Sequence, residues 1–245
     1  MTRPSSSGES VVVLYMGGRL PSWDGLTVEE QDEYSREHVD LMLSVAREHG
    51  LMGLEGFKLL APAGDWLRFW AIEFPAFEGA EAWIEAEMEP PYGRYGYYEY
   101  YLARSVKREG PVVRAATPMT RAPVETPALR ADRSSIVVVA FDRWLPGADV
   151  VPPKERGDSE HDEAISAVEG EHGLIRLDVY QLVAPQSDWH RARVVELPTL
   201  DGAEAWIEAD SRAPNSRYRS RTYHLAHKWA PEYFAGWVQE AQRGR

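Results

Sequence analysis

Apolar and polar positions follow two different periods along this chain, and the changes of period mark its elements. Val11 to Met16 is a short apolar run rich in β-branched residues, which predicts a buried strand. Thr27-Val-Glu-Glu30 has the spacing of a capping box and opens a helical pattern that runs to His49, just before Gly50. Leu54 to Ala61 and Trp66 to Phe74 read as strands joined by a tight turn at Pro62-Ala-Gly-Asp65. Glu78 to Glu87 reads as a helix and Tyr95 to Arg104 as a last strand. The order is β-α-β-β-α-β.

The same order then recurs. Ser10-Val-Val-Val through Leu20-Pro21 returns as Ser135-Ile-Val-Val through Leu145-Pro146. Glu48-His-Gly-Leu51 returns as Glu171-His-Gly-Leu174, and Asp65-Trp66 as Asp188-Trp189. Gly79-Ala-Glu-Ala-Trp-Ile-Glu-Ala86 is repeated letter for letter at Gly202 to Ala209. Arg94-Tyr95 matches Arg217-Tyr218, and Leu102-Ala103 matches Leu225-Ala226. So many matches, in one order and at nearly constant spacing, mark the duplication of a whole domain. The second copy runs from Ile136 to His227, with a shorter first helix near Ser159 to His172.

A βαββαβ order gives an antiparallel sheet with both helices on one face. The other face needs cover too, and two copies in one chain can supply it to each other. The expected fold class is therefore α+β: two ferredoxin-like βαββαβ repeats forming a pseudo-dimeric α+β barrel. The boundaries follow. Residues 1–9 are a polar, Ser-rich, disordered terminus, 10–105 the first repeat and 135–229 the second. Residues 106–134 carry Pro111, Pro118, Pro123 and Pro127 and read as an extended linker. Residues 230–245 read as an added amphipathic helix, opened by Pro231.

Composition narrows the function. The 245 residues are 44% hydrophobic and 27% charged, ordinary for a globular protein. No apolar run approaches the ~20 residues of a membrane helix, and no signal peptide is evident, so a cytoplasmic location is expected. With no cysteine, disulfides, thiolate metal sites and cysteine nucleophiles are excluded. A formal charge of -12 argues against nucleic acid as the partner. A small-molecule ligand and a homo-oligomer are the partners expected. No His-Glu-x-x-His metal motif, phosphate-binding glycine fingerprint or Gly-x-Ser-x-Gly elbow is present.

The titratable candidates sit on the first helix of each repeat. His38 aligns with His161, and His49 with His172. Within a repeat the two are eleven residues apart, three helical turns with about 20° to spare, so they share one helix face. His49 and His172 precede a glycine at a helix end, where a donor suits the exposed carbonyls. His38 and His161 have no such structural role. A half-exposed helix histidine is the plain alternative, and a proton shuttle the functional one.

On the strands, alternate residues share a face. Trp66, Arg68 and Trp70 do so, as do Trp189, Arg191 and Arg193. Tyr95, Tyr97, Glu99 and Tyr101 share a second face, with Tyr218, Ser220, Thr222 and His224 at the matching positions. Tyr100/Tyr223 and Leu102/Leu225 are retained on the opposite face, which is assigned to the helix-packed core. The Tyr95/Tyr218 face is then expected to point into the barrel. Trp66, Arg68, Tyr95, Tyr97, Trp189, Arg191, Tyr218 and His224 would line a pocket for a flat organic ligand, against the plainer reading of packed aromatic cores.

The segments Arg36-Glu-His38-Val-Asp-Leu and Glu48-His-Gly50-Leu, with the later Ala80-Glu-Ala-Trp-Ile-Glu-Ala-Glu87 and Ala203-Glu-Ala-Trp-Ile-Glu-Ala-Asp210, resemble the YCII-related proteins of the dimeric α+β barrel superfamily. EthD-like relatives are similar too. The resemblance implies a His and Asp pair as the site, which falls on His161 and Asp210. In the first repeat it falls on His38, with Glu87 in place of the aspartate and Met88 in place of the proline that follows. Ser211 replaces that proline in the second. The resemblance implies cofactor-free acid-base chemistry (isomerase, cyclase or lyase-like) on an aromatic or polyketide-like product of secondary metabolism. Two alternatives stand beside it: a non-catalytic ligand-binding or protein-assembly module, and a haem-binding barrel with His224 or His172 as the axial ligand.

Overall fold

The computed structural model describes residues 10–60, 66–106, 131–186 and 189–231, with the side chains of 184–186 left aside. The expected disordered terminus at 1–9, the Pro62–Asp65 turn, the body of the proline-rich linker and the helix beyond Pro231 lie outside the described residues.

The chain forms two compact units. One is built on the described chain up to Arg104, to which residues 228–231 return; the other is built on Asp132–His227. The first contains β1 (Val11–Arg19), α1 (Pro21–Asp24), α2 (Val28–Glu48), β2 (Gly53–Leu59), β3 (Arg68–Phe74), α3 (Phe77–Glu87) and β4 (Gly96–Val106). The second contains β5 (Asp132–Trp144), α4 (Pro153–Arg156), α5 (Asp158–Glu171), β6 (Arg176–Gln186), β7 (Trp189–Leu197), α6 (Leu200–Asp210) and β8 (Arg219–Lys228). In the first unit β1 lies between β3 and β4, and β2 borders β3, all antiparallel. In the second β5 lies between β7 and β8, with β6 bordering β7. Among the described residues no helix is long and apolar enough to cross a membrane.

Local chemistry explains the boundaries. The Thr27 hydroxyl accepts from the Glu30 amide at 3.2 Å, while the Glu30 carboxylate accepts from the Thr27 amide at 2.8 Å. This reciprocal cap satisfies two donors that a helix start leaves open. At the other end Gly50 (φ 65°) and Gly173 (φ 71°) take the left-handed conformation that stops α2 and α5. The duplication persists in the backbone bonds: Leu20 donates to the Tyr95 carbonyl as Leu145 does to that of Tyr218, each at 2.9 Å.

One face of each sheet packs against its helices. In the first unit Val11, Val13, Tyr15, Trp70, Ile72 and Phe74 meet Met42, Val45, Ala80 and Trp83. In the second Val138, Val195 and Leu197 meet Ile165, Ala203 and Trp206. Tyr98, Tyr100 and Leu102, with Tyr223 and Leu225, pack on these cores, which is the face expected for them. Trp206 is 1% exposed, and truncating a tryptophan so placed costs about 3–5 kcal/mol. The opposite face of the first sheet is buried too, at Leu14, Met16, Phe57, Phe69 and Tyr101.

Two expectations are corrected. Tyr95 and Tyr218 end short 3₁₀ turns, Tyr92–Tyr95 and Asn215–Tyr218, and β4 and β8 start one residue later. Tyr95 therefore does not continue the strand face of Tyr97. The ring of Tyr95 lies against Trp23 (5.7 Å between centroids) and Tyr34 (6.1 Å). In addition, Arg68 and Trp70 lie on the helix-facing side of β3, whereas Tyr97 shares the face of Tyr101, away from the helices. Periodicity fixes which residues of one strand share a face; it does not align that face with another strand's.

Candidate functional site

Each unit brings the histidine of its first long helix to the carboxylate that ends its second. In the first, α2 buries one stripe containing His38, Val39, Met42 and Val45. α3 buries Ala80, Trp83, Ala86 and Glu87. Their packing sets His38 Nε2 at 3.2 Å from Glu87 Oε2. In the second, His161 Nε2 is 3.0 Å from Asp210 Oδ1.

The surroundings of the two pairs differ. Asp210 is fully buried and receives Arg193 bidentately at 2.8 and 2.7 Å. The Tyr223 hydroxyl donates to it at 2.8 Å, and Arg221 Nε stands at 3.2 Å. Burial alone would raise this carboxyl's pKa, but the bonds from His161 and Arg193 and the charges of Arg193 and Arg221 hold it far below the usual range. Asp210 is ionised at neutral pH.

Glu87 has no such fork. Position 70, equivalent to 193, is a tryptophan. Burial works against the Glu87 charge; the His38 charge and hydrogen bond outweigh it, helped by Arg68 and Arg19, and the carboxyl titrates below its ordinary value. Tyrosines surround this pair. The His38 ring stacks on Tyr92 at 3.9 Å and 10°. The Arg19 guanidinium lies 3.7 Å over the Tyr92 ring and 4.3 Å over that of Trp23. The Tyr15 hydroxyl accepts from Arg68 Nη2 at 3.2 Å. Burial raises the pKa of Tyr15 and Tyr100, so both stay protonated. His38 Nδ1 and the Tyr100 hydroxyl are buried with no hydrogen-bond partner among the described residues.

The other candidates are dispersed. Arg191 clasps Asp142, its cross-strand neighbour, at 3.0 and 3.1 Å. The Trp189 ring lies 6.1 Å from Phe141. Trp66 precedes β3, and Tyr97 is exposed. His224 is buried on the sheet face away from α5 and α6, and burial lowers its pKa. His172 caps α5, its amide donating to the Val168 carbonyl at 2.9 Å. Among the described residues no group of three or more His, Asp or Glu side chains could hold a metal ion. Sequence reasoning missed Arg193, Arg221 and Tyr223 as partners of Asp210, and Arg19 and Tyr92 beside His38. The visible signal was exchange between equivalent positions, Trp70 for Arg193 and Tyr98 for Arg221.

It also missed a cavity of about 690 Å³ in the second unit, lined by Arg143, Trp144, Leu145, Asp149, Arg156 and His190 among others. No family model matches this chain, and no curated protein does. Solved structures do. A chlorite dismutase from Candidatus Nitrospira defluvii is similar with a TM-score of 0.67 at 10% identity, over 94% of each chain. A haem-binding protein from Thermus thermophilus is similar with a TM-score of 0.62 at 13% identity, over 95% of this chain and 96% of that one. Likeness of this extent at such low identity shows the fold. It is a mixed α+β fold with eight antiparallel strands among the described residues, as the duplication predicted.

The haem-binding protein among these neighbours calls for a test on these residues. An axial histidine needs a ring nitrogen directed at iron. The Nε2 of His38 and that of His161 each already bond a carboxylate, and one face of His38 is covered by Tyr92. His161 Nδ1 turns to Asp162 at 3.4 Å. The space between the second sheet and its helices is packed with Val138, Ile165, Val195 and Trp206. The helix histidines as they stand do not fit haem.

Proposed function

We propose that this chain is a small-molecule enzyme that performs cofactor-free acid-base chemistry, of isomerase, cyclase or lyase type, on an aromatic or polyketide-like substrate. One observation carries the reading: His38 is oriented through Nε2 by an ionised carboxylate, while its Nδ1 is buried and unpaired among the described residues. This is the disposition of a general base. The Nε2–H donates to Glu87, which leaves the Nδ1 lone pair to take a proton from substrate. Glu87 stabilises the imidazolium so formed, and the same nitrogen returns the proton at the new position. The neutral hydroxyl of Tyr100 is available as a donor to a developing oxyanion. Tyr98, which is part-exposed, offers flat apolar surface. The His161–Asp210 pair is more tightly bound, since Asp210 is shared with two arginines and a tyrosine.

The test is deuterium incorporation. Aromatic and polyketide-like ketones with acidic C–H groups, incubated with the protein in D₂O, are read by mass spectrometry. Exchange is expected with the wild type and lost in His38→Gln. Exchange that survives in the His38→Gln/His161→Gln double variant overturns the reading.

A haem-binding function is the second reading, favoured by the likeness to a chlorite dismutase and a haem-binding protein. It takes His224 or His172 as the axial ligand; His38 or His161 would first have to leave its carboxylate.

A further inference from the structure

The second unit concentrates positive charge in its interior. The guanidiniums of Arg191, Arg193, Arg219 and Arg221 converge on two carboxylates, Asp142 and Asp210. Asp142 is shared by Arg191 at 3.0 Å, Arg193 at 3.4 Å and Arg219 at 4.0 Å. Asp210 takes Arg193 and Arg221. Among the described residues of this cluster, the positive charges outnumber the negative by two. Arg156 does not draw on these acids, because Asp158 and the carbonyls of Ala148 and Val151 satisfy it.

The surplus is not left to solvent. The side chains of Arg219 and Arg221 are 11% and 4% exposed. Arg219 Nε and Arg221 Nη1 are buried with no hydrogen-bond partner among the described residues. Burial, with repulsion from Arg191 next, pulls the Arg219 pKa down to about 10. Burying cations without counter-charge is costly, and an interior tolerates it where something else supplies the charge. The chain as a whole carries -12, but net charge elsewhere does not neutralise a buried group at short range.

The cavity of about 690 Å³ adjoins this cluster through Trp144. Trp144 lines it, and the Arg219 guanidinium lies 3.8 Å over the same ring, with that of Arg156 at 4.9 Å. Arg143 and His190 add donors to the wall, and Asp149 is the single carboxylate among its lining residues. The first unit has none of this at equivalent positions: Arg191 has Arg68, but Arg193, Arg219 and Arg221 have Trp70, Gly96 and Tyr98.

We propose that this cavity binds a small organic dianion, either a dicarboxylate or a phosphate monoester, with Arg143 and His190 on its wall as recognition groups and Arg219, stacked on the Trp144 ring that lines it, as the nearest cation of the surplus. Two negative charges match the local surplus, and guanidiniums hold carboxylate and phosphate oxygens through paired bonds. The site shares no residue with the His38–Glu87 pair, and it stands or falls without the acid-base reading.

Isothermal titration calorimetry on the full chain tests it, with inorganic phosphate and succinate as probes and chloride at matched ionic strength as reference. Saturable binding of one or both dianions is expected, with a loss of roughly tenfold or more in Arg219→Gln and in Arg143→Gln. Phosphate alone assigns the phosphate class, and succinate alone the dicarboxylate class. Should Arg219→Gln fail to fold, Arg143→Gln and His190→Gln carry the test from the cavity wall. Dianions that bind no better than chloride, or that bind the folded variants as tightly as the wild type, overturn the proposal.

Discussion

Trp70 and Arg193 hold equivalent places in the two repeats, and only the arginine reaches the carboxylate at the end of the following helix. Arg193 bonds both oxygens of Asp210, whereas Trp70 packs among apolar residues and against Trp229 at 5.5 Å. One exchange thus divides an anchored pair from a poised one. Replacing Arg193 by Met should strip a fully buried carboxylate of its main partner and destabilise the second unit by about 3–5 kcal/mol. Urea unfolding followed by circular dichroism measures it; a loss below about 1 kcal/mol would contradict the role given to this fork.

Asp210 also sets a pH dependence. Its folded pKa lies far below the unfolded value of about 4. The stabilisation is therefore fully present above that unfolded value and is lost as pH falls from there toward the folded one. This group alone should give a slope approaching about 1.4 kcal/mol per pH unit. Asp210→Asn should be less stable at neutral pH and should lack this part of the acid slope. Urea midpoints between neutral pH and pH ~3 compare the two.

The state of His38 can be read directly. Because Glu87 is ionised and can only accept, the neutral imidazole should carry its proton on Nε2. Long-range ¹H–¹⁵N spectra separate the tautomers. An Nδ1–H form of neutral His38 would break the proposed base.

Haemin added to the purified chain is expected to leave its absorbance as free haemin. A sharp, stoichiometric Soret band that vanishes in His224→Gln or His172→Gln would replace the first reading by the second; one that vanishes in His161→Gln would do the same and mean that this imidazole gives up Asp210 for iron.

The helix starts offer a graft between repeats. Thr199 caps α6, its hydroxyl accepting from the Gly202 amide at 3.1 Å, while Ala76 at the same place before α3 provides no side-chain cap. Ala76→Thr should gain about 1 kcal/mol, and Thr199→Ala should lose a similar amount. Thermal melts of both variants decide it.

Much of this was legible because the chain repeats itself. The elements of each half follow from alternation, caps and helix-ending glycines, and His38, His161, Glu87 and Asp210 stand out as aligned positions. What failed was the meeting of faces. Tyr95 fits the alternation of Tyr97 and Tyr101, yet it ends a 3₁₀ turn and packs with Trp23 and Tyr34. The cavity was hidden for a different reason. Asp149 and Arg156 belong to the connection after β5, which differs between the repeats, and Trp144, the last residue of β5, takes the place of Arg19, so no matching residue drew attention to them. Partners such as Arg193 and Arg221 are distant in sequence from Asp210, and charge alone does not say which way a strand residue turns.

The last described residues reach back to the beginning. Trp229 donates its amide to the Gly56 carbonyl at 2.8 Å and sets its ring on Trp70. Gly56 has no room for a side chain, since a Cβ there would stand 2.7 Å from the Trp229 carbonyl oxygen. Synthesis runs in the other direction. The amino-terminal repeat emerges from the ribosome first, yet its tryptophan cover is translated only after the whole second repeat. Until then the nascent first unit shows an uncovered apolar face around Trp70, and a chain interrupted anywhere before Trp229 keeps it exposed. Completion of the older half thus reports that the younger one has been made.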